Sequence, residues 1–392
     1  MSAHRQKKDD GGCRLGDRDQ TRSLEDARAR TALHTLEMDL ERTLAAFRLQ
    51  AGLCKHLGSP FYAALMQLAH DDVAAGGPVR DLVRDFAGDP LRGFLPLRVL
   101  GGVHARVLAG AAPDLAAFYP TVGGEADGTA AWPSFRATID RDIEQIRARL
   151  ELAPQTNEVR RCAGLLAGFL QVARDTRLPL RLLEIGCSAG LNLQWSQFKY
   201  DLECWSWGDQ SSALEIATRW RGAAPAVHDV EVEIAERRGC DVAPRPIDDD
   251  DAVRDLECFI WADQPRRLAQ LRAGVEIARR DRPEIECAPA GDWLPDQLAT
   301  TSSGSCTIVY HSSVWTYIPA AEQTRIKNTL EAAGRAATAA KPLAWLRAED
   351  SENGATIELR LRVWPDGQET LLGEGHPHGR VVVWRPEPAD AG

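Results

Sequence analysis

The run Leu182-Leu183-Glu184-Ile185-Gly186-Cys187-Ser188-Ala189-Gly190-Leu191-Asn192 sets the architecture of this chain. Apolar residues lead into an acid, then a turn of small residues, then a helical pattern, which is the order strand, loop, helix. Such a turn serves one of two chemistries. It is either a glycine-lined cradle that lets backbone approach a cofactor, or a Gly-x-Ser-x-Gly elbow that presents Ser188 as a nucleophile.

On the C-terminal side, short apolar segments alternate with helical patterns: Arg181 to Ile185, the run ending at Asp241, Ile285 to Pro289, Cys306 to Tyr310, and Leu343 to Arg347. Strands that alternate with helices predict an α/β fold with a mostly parallel sheet and helices on its faces. Thr356 to Trp364 and Gly379 to Trp384 bracket a Pro-Asp-Gly turn and a Gly/His loop, and predict a closing antiparallel pair. On the N-terminal side, the apolar spacing from about Thr31 to Thr176 is helical, with Leu33, Leu36, Leu40, Leu44 and Phe47 on one face. Thr156 or Asn157 is the expected cap of the helix that precedes the first strand. The expected division is a charged tail over 1–30, a helical domain over 31–155, an α/β domain over 156–386 and a short tail over 387–392. Phe198 to Arg221 is expected as an inserted hairpin centred on Gly208-Asp209, and Asp248 to Asp251 as a solvated loop.

The 392 residues are 44% hydrophobic, enough to bury a sizeable core. A net charge of -10, from 47 basic and 57 acidic residues, argues against bulk nucleic-acid binding and favours a small-molecule partner. The 9 cysteines are dispersed with no Cys-x-x-Cys pair, as expected of reduced thiols rather than a disulfide frame or a zinc site. The N-terminus lacks the apolar stretch of a secretory signal and no run has membrane-spanning length, so the expectation is a cytoplasmic protein with no membrane association. The 11 tryptophans either line a cavity or serve buried packing, the commoner use.

An open α/β sheet binds ligands beyond the carboxyl ends of its strands, where strand order reverses. The polar residues expected there are Glu184, Asp241, Asp292, His311 with Ser312, and Glu349. A nicotinamide-dinucleotide loop wants a small residue where Leu191 stands, and Glu184 beside a pyrophosphate would cost on the order of 4 kcal/mol per charge pair at about 4 Å. The elbow reading has its formal match in Gly186 to Gly190, with Asp292 and then His311, His376 or His378 keeping the Ser, acid, His order. Its placement is poor, because strands should precede the nucleophile and the upstream half is helical.

The loop resembles the acid-x-Gly-x-Gly-x-Gly pattern of class I methyltransferases, with Glu184, Gly186 and Gly190 matching and Ser188 in place of the middle glycine. More of the chain, from Phe47 to Trp384, resembles the bacterial domain of unknown function family 2332, an uncharacterised, methyltransferase-like group. That resemblance rests on Phe47-x-x-Gln50-Ala51, Ser59-Pro60-x-Tyr62, Thr156-Asn157-Glu158-Val159, Gly186 through Asn192, Arg238-Gly239-x-Asp241-x-x-Pro244, Trp261-x-Asp263-Gln264-x-x-Arg267, His311-Ser312 and His376-Pro377-His378-Gly379. The chain departs from the family at Val242-Ala243 and at Ala262, and neither departure removes a charged group.

The resemblance implies a Rossmann-like class I methyltransferase-type domain with S-adenosylmethionine as cofactor and a small-molecule methyl acceptor. Glu184 would face the cofactor's ammonium, with Gly186, Ser188, Gly190 and Asn192 forming the loop. Asp241, preferred over Asp201 and Glu203, would hold the ribose hydroxyls. Asp292 would accept from the adenine amino group or cap the following helix. His311, with Tyr310, is the acid/base candidate, or else a satisfied structural histidine. Asn157, Glu158, Ser312 and Tyr317 are the substrate candidates. No metal is expected, since His376-Pro377-His378 more often serves its own turn. The alternatives are a non-catalytic nucleotide-binding or regulatory protein and, third, a serine hydrolase using Ser188.

Overall fold

The computed structural model describes residues 39–227, 229–300, 303–351 and 356–385; the tails expected over 1–30 and 387–392 lie outside them. The described residues form two compact units, one of residues up to Leu100 with Asp127–Ala153, the other of Gly101–Ala126 with the chain from Pro154 onward.

The first unit is helical. Its helices include one over 39–56, then Pro60–Ala75, Pro78–Val83, Gly128–Arg141 and Ile143–Arg149. The Ser59-Pro60-x-Tyr62 motif is a helix start: Ser59 accepts from the Tyr62 amide and Pro60 occupies the first turn, where a missing N–H costs nothing. Buried Asp72 accepts from the Val79 amide at 2.9 Å and pairs with Arg136 at 2.7 Å, so its charge is compensated.

The second unit carries a mixed sheet of 9 strands and a smaller one of 3. In chain order the strands are β1 Leu180–Ile185, β2 Lys199–Asp201, β3 Ser206–Gly208, β4 Glu215–Ala217, β5 Arg219–Arg221, β6 Ile234–Asp241, β7 Glu284–Cys287, β8 Cys306–Ser312, β9 Leu343–Asp350, β10 Ile357–Trp364, β11 Gln368–Gly375 and β12 Val381–Trp384. The large sheet runs β5-β12-β11-β10-β9-β8-β1-β6-β7. From β7 to β9 every pairing is parallel, and the order reverses on the two sides of β1. β9 to β12 then form an antiparallel meander, with β5 added in parallel at its edge.

β1 is buried along its whole length, as a central parallel strand should be, and its apolar residues serve both faces. Leu180 and Leu182 join the core built on the helix Cys162–Thr176 and the helix Pro265–Arg280, whereas Leu183 and Ile185 join the one built on Ala290–Ala299 and Ala320–Arg335. The period-2 alternation of a strand thus produces a sheet covered on both sides. Gly101–Ala126 is tied to the rest of this unit by buried His104, which bonds the Cys258 carbonyl at 3.1 Å, and by the Thr121 amide, which donates to Ala262 at 3.1 Å.

Several expectations are corrected. The C-terminal pair is a three-strand meander, because Gln368–Gly375 also pairs. The hairpin of the Trp-rich insertion is not centred on Gly208-Asp209, although the chain turns again there, with the Ser212 amide donating to Asp209. β2 and β3 reverse at 202–205, where the Leu202 amide donates to Trp205, and Gly208 ends β3. The acidic run is a helix start: Asp249 caps Asp250–Glu257 by accepting from the Asp251 and Ala252 amides. Glu158, rather than Thr156 or Asn157, caps the 3-10 turn Val159–Arg161 that leads into Cys162–Thr176. The tryptophans serve packing: Trp195 stacks on Phe169 at 4.4 Å, and Trp205, Trp220 and Trp384 pack in sequence. No helix among the described residues is long and apolar enough to cross a membrane.

Candidate functional site

The loop after β1 lies at the reversal point of the parallel strands, and most of it is buried. Gly186, Ser188 and Gly190 all have positive φ, at 68°, 55° and 70°. Gly186 has a second reason to be glycine: a Cβ there would stand 2.3 Å from the Val314 side chain on the loop after β8.

The donors of this loop are all spent inside the protein. Gly186 and Cys187 donate to the Cys240 carbonyl, Gly190 to the Cys187 carbonyl, and Ser188 to the Asp241 carboxylate at 2.9 Å. Asn157, itself at φ 38°, accepts from both the Ala189 and Leu191 amides at 3.2 and 3.1 Å. A loop that holds a pyrophosphate must offer such amides outward. This one offers none between Gly186 and Leu191.

Two acids stand at adjoining strand ends. Asp241, last residue of β6, accepts one bond on each oxygen, from Ser188 and from the Ala243 amide at 2.8 Å, which leaves lone pairs on both. Glu184 is buried and accepts from the Tyr310 hydroxyl at 3.2 Å. Burial, which disfavours its charge, pushes its pKa up to about 8, with the nearby Asp241 charge adding to the rise and the Tyr310 and Asn192 hydrogen bonds opposing it. Burial also holds the thiols of Cys162 and Cys187 well above their usual range, so neither is a nucleophile near neutral pH.

Tyr310 and His311 lie within β8 and face the interior. The Trp345 indole, a donor only, bonds His311 Nε2 at 3.1 Å, so the ring proton sits on Nδ1 and is donated to Glu349 at 2.6 Å. With Trp315 stacked on the ring at 4.9 Å, His311 has neither a free nitrogen nor an open face. Of its two expected roles, the satisfied structural histidine is the one this geometry supports. Glu349 also accepts from the Val314 and Trp315 amides, which pins Val314 against Gly186.

The remaining candidates scatter. Asp292 is exposed in the first turn of its helix and pairs with Arg325 at 2.7 Å, without capping. Ser312 ends β8 and lends its carbonyl to Arg161. Tyr317 is 64% exposed. Glu158 is buried and pairs with buried Arg267 at 2.6 Å. Ser188 donates its hydroxyl to Gln155 at 3.3 Å, not to an imidazole, so the geometry lacks the base that an elbow nucleophile needs. Among the described residues no group of 3 or more His, Cys, Asp and Glu is disposed to hold a metal.

Arg160 and Arg161 went unnoticed in the sequence. Arg161 is half-buried and donates to the Pro377 and Ser312 carbonyls at 3.1 and 3.4 Å, joining the His376-Pro377-His378 turn to the end of β8. Two arginines directly after Thr156-Asn157-Glu158-Val159 were the available signal.

Residues 44–384 match the family described as "Uncharacterized protein conserved in bacteria (DUF2332)". No curated protein matches the chain.

Proposed function

The chain belongs to this uncharacterised bacterial family, and we propose that it is an S-adenosylmethionine-dependent methyltransferase acting on a small molecule, with a Rossmann-like class I methyltransferase-type sheet. The observation that carries the reading is the placement of Glu184 and Asp241 at adjoining ends of β1 and β6, where the parallel order reverses. Ligand crevices of open α/β sheets form at such points. The spent amides of the loop favour a ligand without a pyrophosphate, and the acids favour a cationic one.

S-adenosylmethionine supplies an electrophilic methyl on a sulfonium sulfur. In this reading Glu184 meets its ammonium, the open lone pairs of Asp241 accept from ribose hydroxyls, and Ser188 and Asn192 line the loop. Asp292, committed to Arg325, is left out. Methyl transfer then depends on positioning and desolvation rather than on a base, which agrees with the engagement of both His311 nitrogens.

Calorimetry with S-adenosylmethionine and S-adenosylhomocysteine in two buffers of different ionisation enthalpy tests this. A Glu184 carboxyl with pKa about 8 is mostly protonated at pH 7, so a cation beside it should release a proton on binding. Absence of binding by either compound overturns the proposal. A second reading, a non-catalytic nucleotide-binding or regulatory protein, is favoured by the sealed loop and the fully engaged His311. Binding without turnover across a broad panel of methyl acceptors would select it.

A further inference from the structure

A cleft of about 450 Å3 opens beside the His376-Pro377-His378-Gly379 turn, lined by Arg160, Arg219, Arg380 and His376 with Asp201 and Glu203. The turn is held firmly. The His376 amide donates to Val381, Gly379 donates back to His376, and the Thr218 hydroxyl donates to the Gly379 carbonyl at 2.7 Å. A Cβ at Gly379, whose φ is 63°, would stand 2.2 Å from the Arg160 carbonyl, so only glycine lets the turn pack onto Arg160.

Positive charge outnumbers negative here, with Arg160, Arg219 and Arg380 against Asp201 and Glu203. Arg267 has Glu158 at 2.6 Å. Among the described residues Arg161 donates only to carbonyls, and Arg160 donates to the Ala217 carbonyl at 3.0 Å while its buried Nε–H has no acceptor. Arg380 makes no ion pair among the described residues, and Glu158 and Asp263 are the acids that face it. His378, edge-on to Trp261 at 5.5 Å, has a buried Nδ1 with no partner. Burial first, then Arg267, Arg161, His376 and Arg380, hold its pKa well below the usual range. The stranded Nε–H of Arg160 and the mutually repelling guanidinium groups of Arg160 and Arg380 are what a site pre-arranged for an anion requires.

We propose that this cleft binds a small molecule through an oxyanion, a phosphate or carboxylate group, taken by Arg160 and Arg380 beside His376. The volume leaves room for a ligand larger than the oxyanion itself. The site stands independently of the S-adenosylmethionine reading, since none of its cations lies in the β1 loop.

Calorimetric titration of the full chain with inorganic phosphate and, separately, with succinate, at constant ionic strength, tests the proposal. Saturable binding of at least one is expected: phosphate alone assigns a phosphate-bearing ligand, and succinate alone or both assign a carboxylate. Arg380→Gln and Arg160→Gln should each weaken that binding by about tenfold or more, the loss expected when a charge-assisted bond is removed. Melting curves of the unliganded variants separate lost binding from lost fold. In the wild-type chain, the imidazole nitrogen resonances of His376 and His378 should move on saturation. No saturable binding by either anion, wild-type affinity in both folded variants, or unmoved imidazole resonances overturns the site.

Discussion

The loop after β1 and the His-rich turn after β11 both carry glycines at positive φ and both stand at strand ends, yet they treat polar groups in opposite ways. In the β1 loop each amide from Gly186 to Leu191 has a partner, supplied by Cys240, Asp241, Asn157 and Cys187. Beside the His-rich turn, the Nε–H of Arg160 and the Nδ1 of His378 are buried with none. A glycine motif by itself therefore does not mark an open cradle. Whether its donors are spent decides that, and a buried group left unpaired is the stronger pointer to a ligand.

The contrast can be broken most forcefully at the turn's foundation. Arg267→Met removes one partner of a pair whose side chains are only 4% and 3% exposed and leaves Glu158 charged in the interior, so a loss of about 3–5 kcal/mol is expected in urea unfolding. A loss under about 1 kcal/mol would mean the corner is more solvated than the structure has it.

Glu184→Gln sharpens the comparison on the loop side. The Glu184 carboxyl is raised from 4.5 to about 8 in the folded state, so the folded protein binds the proton more tightly than the unfolded chain. Its contribution to stability is complete below pH 4.5 and is lost as pH rises through about 8. The glutamine variant should flatten that decline and be more stable than the parent at pH 8, by on the order of 2–4 kcal/mol. Parallel stability–pH curves for the two proteins would rule this out.

Asn157→Ala takes the shared acceptor from the Ala189 and Leu191 amides and puts alanine at φ 38°. The expected cost is about 2 kcal/mol, with faster hydrogen exchange at both amides. Ser188→Gly has the smallest effect, within about 1 kcal/mol of wild type, because relief of the left-handed backbone offsets the bond to Gln155. Complete loss of a measured hydrolase activity in that variant would restore the nucleophile reading.

The parallel strands were legible because a buried central strand must read as a near-continuous apolar run, and β1 and β8 are buried throughout. Asp241 was legible because Arg238-Gly239-Cys240-Asp241 places an acid at a strand end. β11 was not, since its first three residues, Gln368, Glu369 and Thr370, are polar and exposed and show no apolar alternation. His311 carried no sign that Glu349 and Trp345, each over 30 residues away, would occupy both its nitrogens. The corner around Arg160 was hidden for the same reason: an arginine's lack of a partner is a property of the folded neighbourhood, invisible along the chain.

One end of the large sheet shows how a vulnerable edge can be shortened and charged. β12 carries three successive valines, and Val383 is 46% exposed. A longer, bare strand there would invite another molecule to extend the sheet. Instead β5 covers that rim with only three residues, of which Arg219 and Arg221 are exposed. A short, doubly cationic border makes a poor template for strand addition by a second chain at this rim.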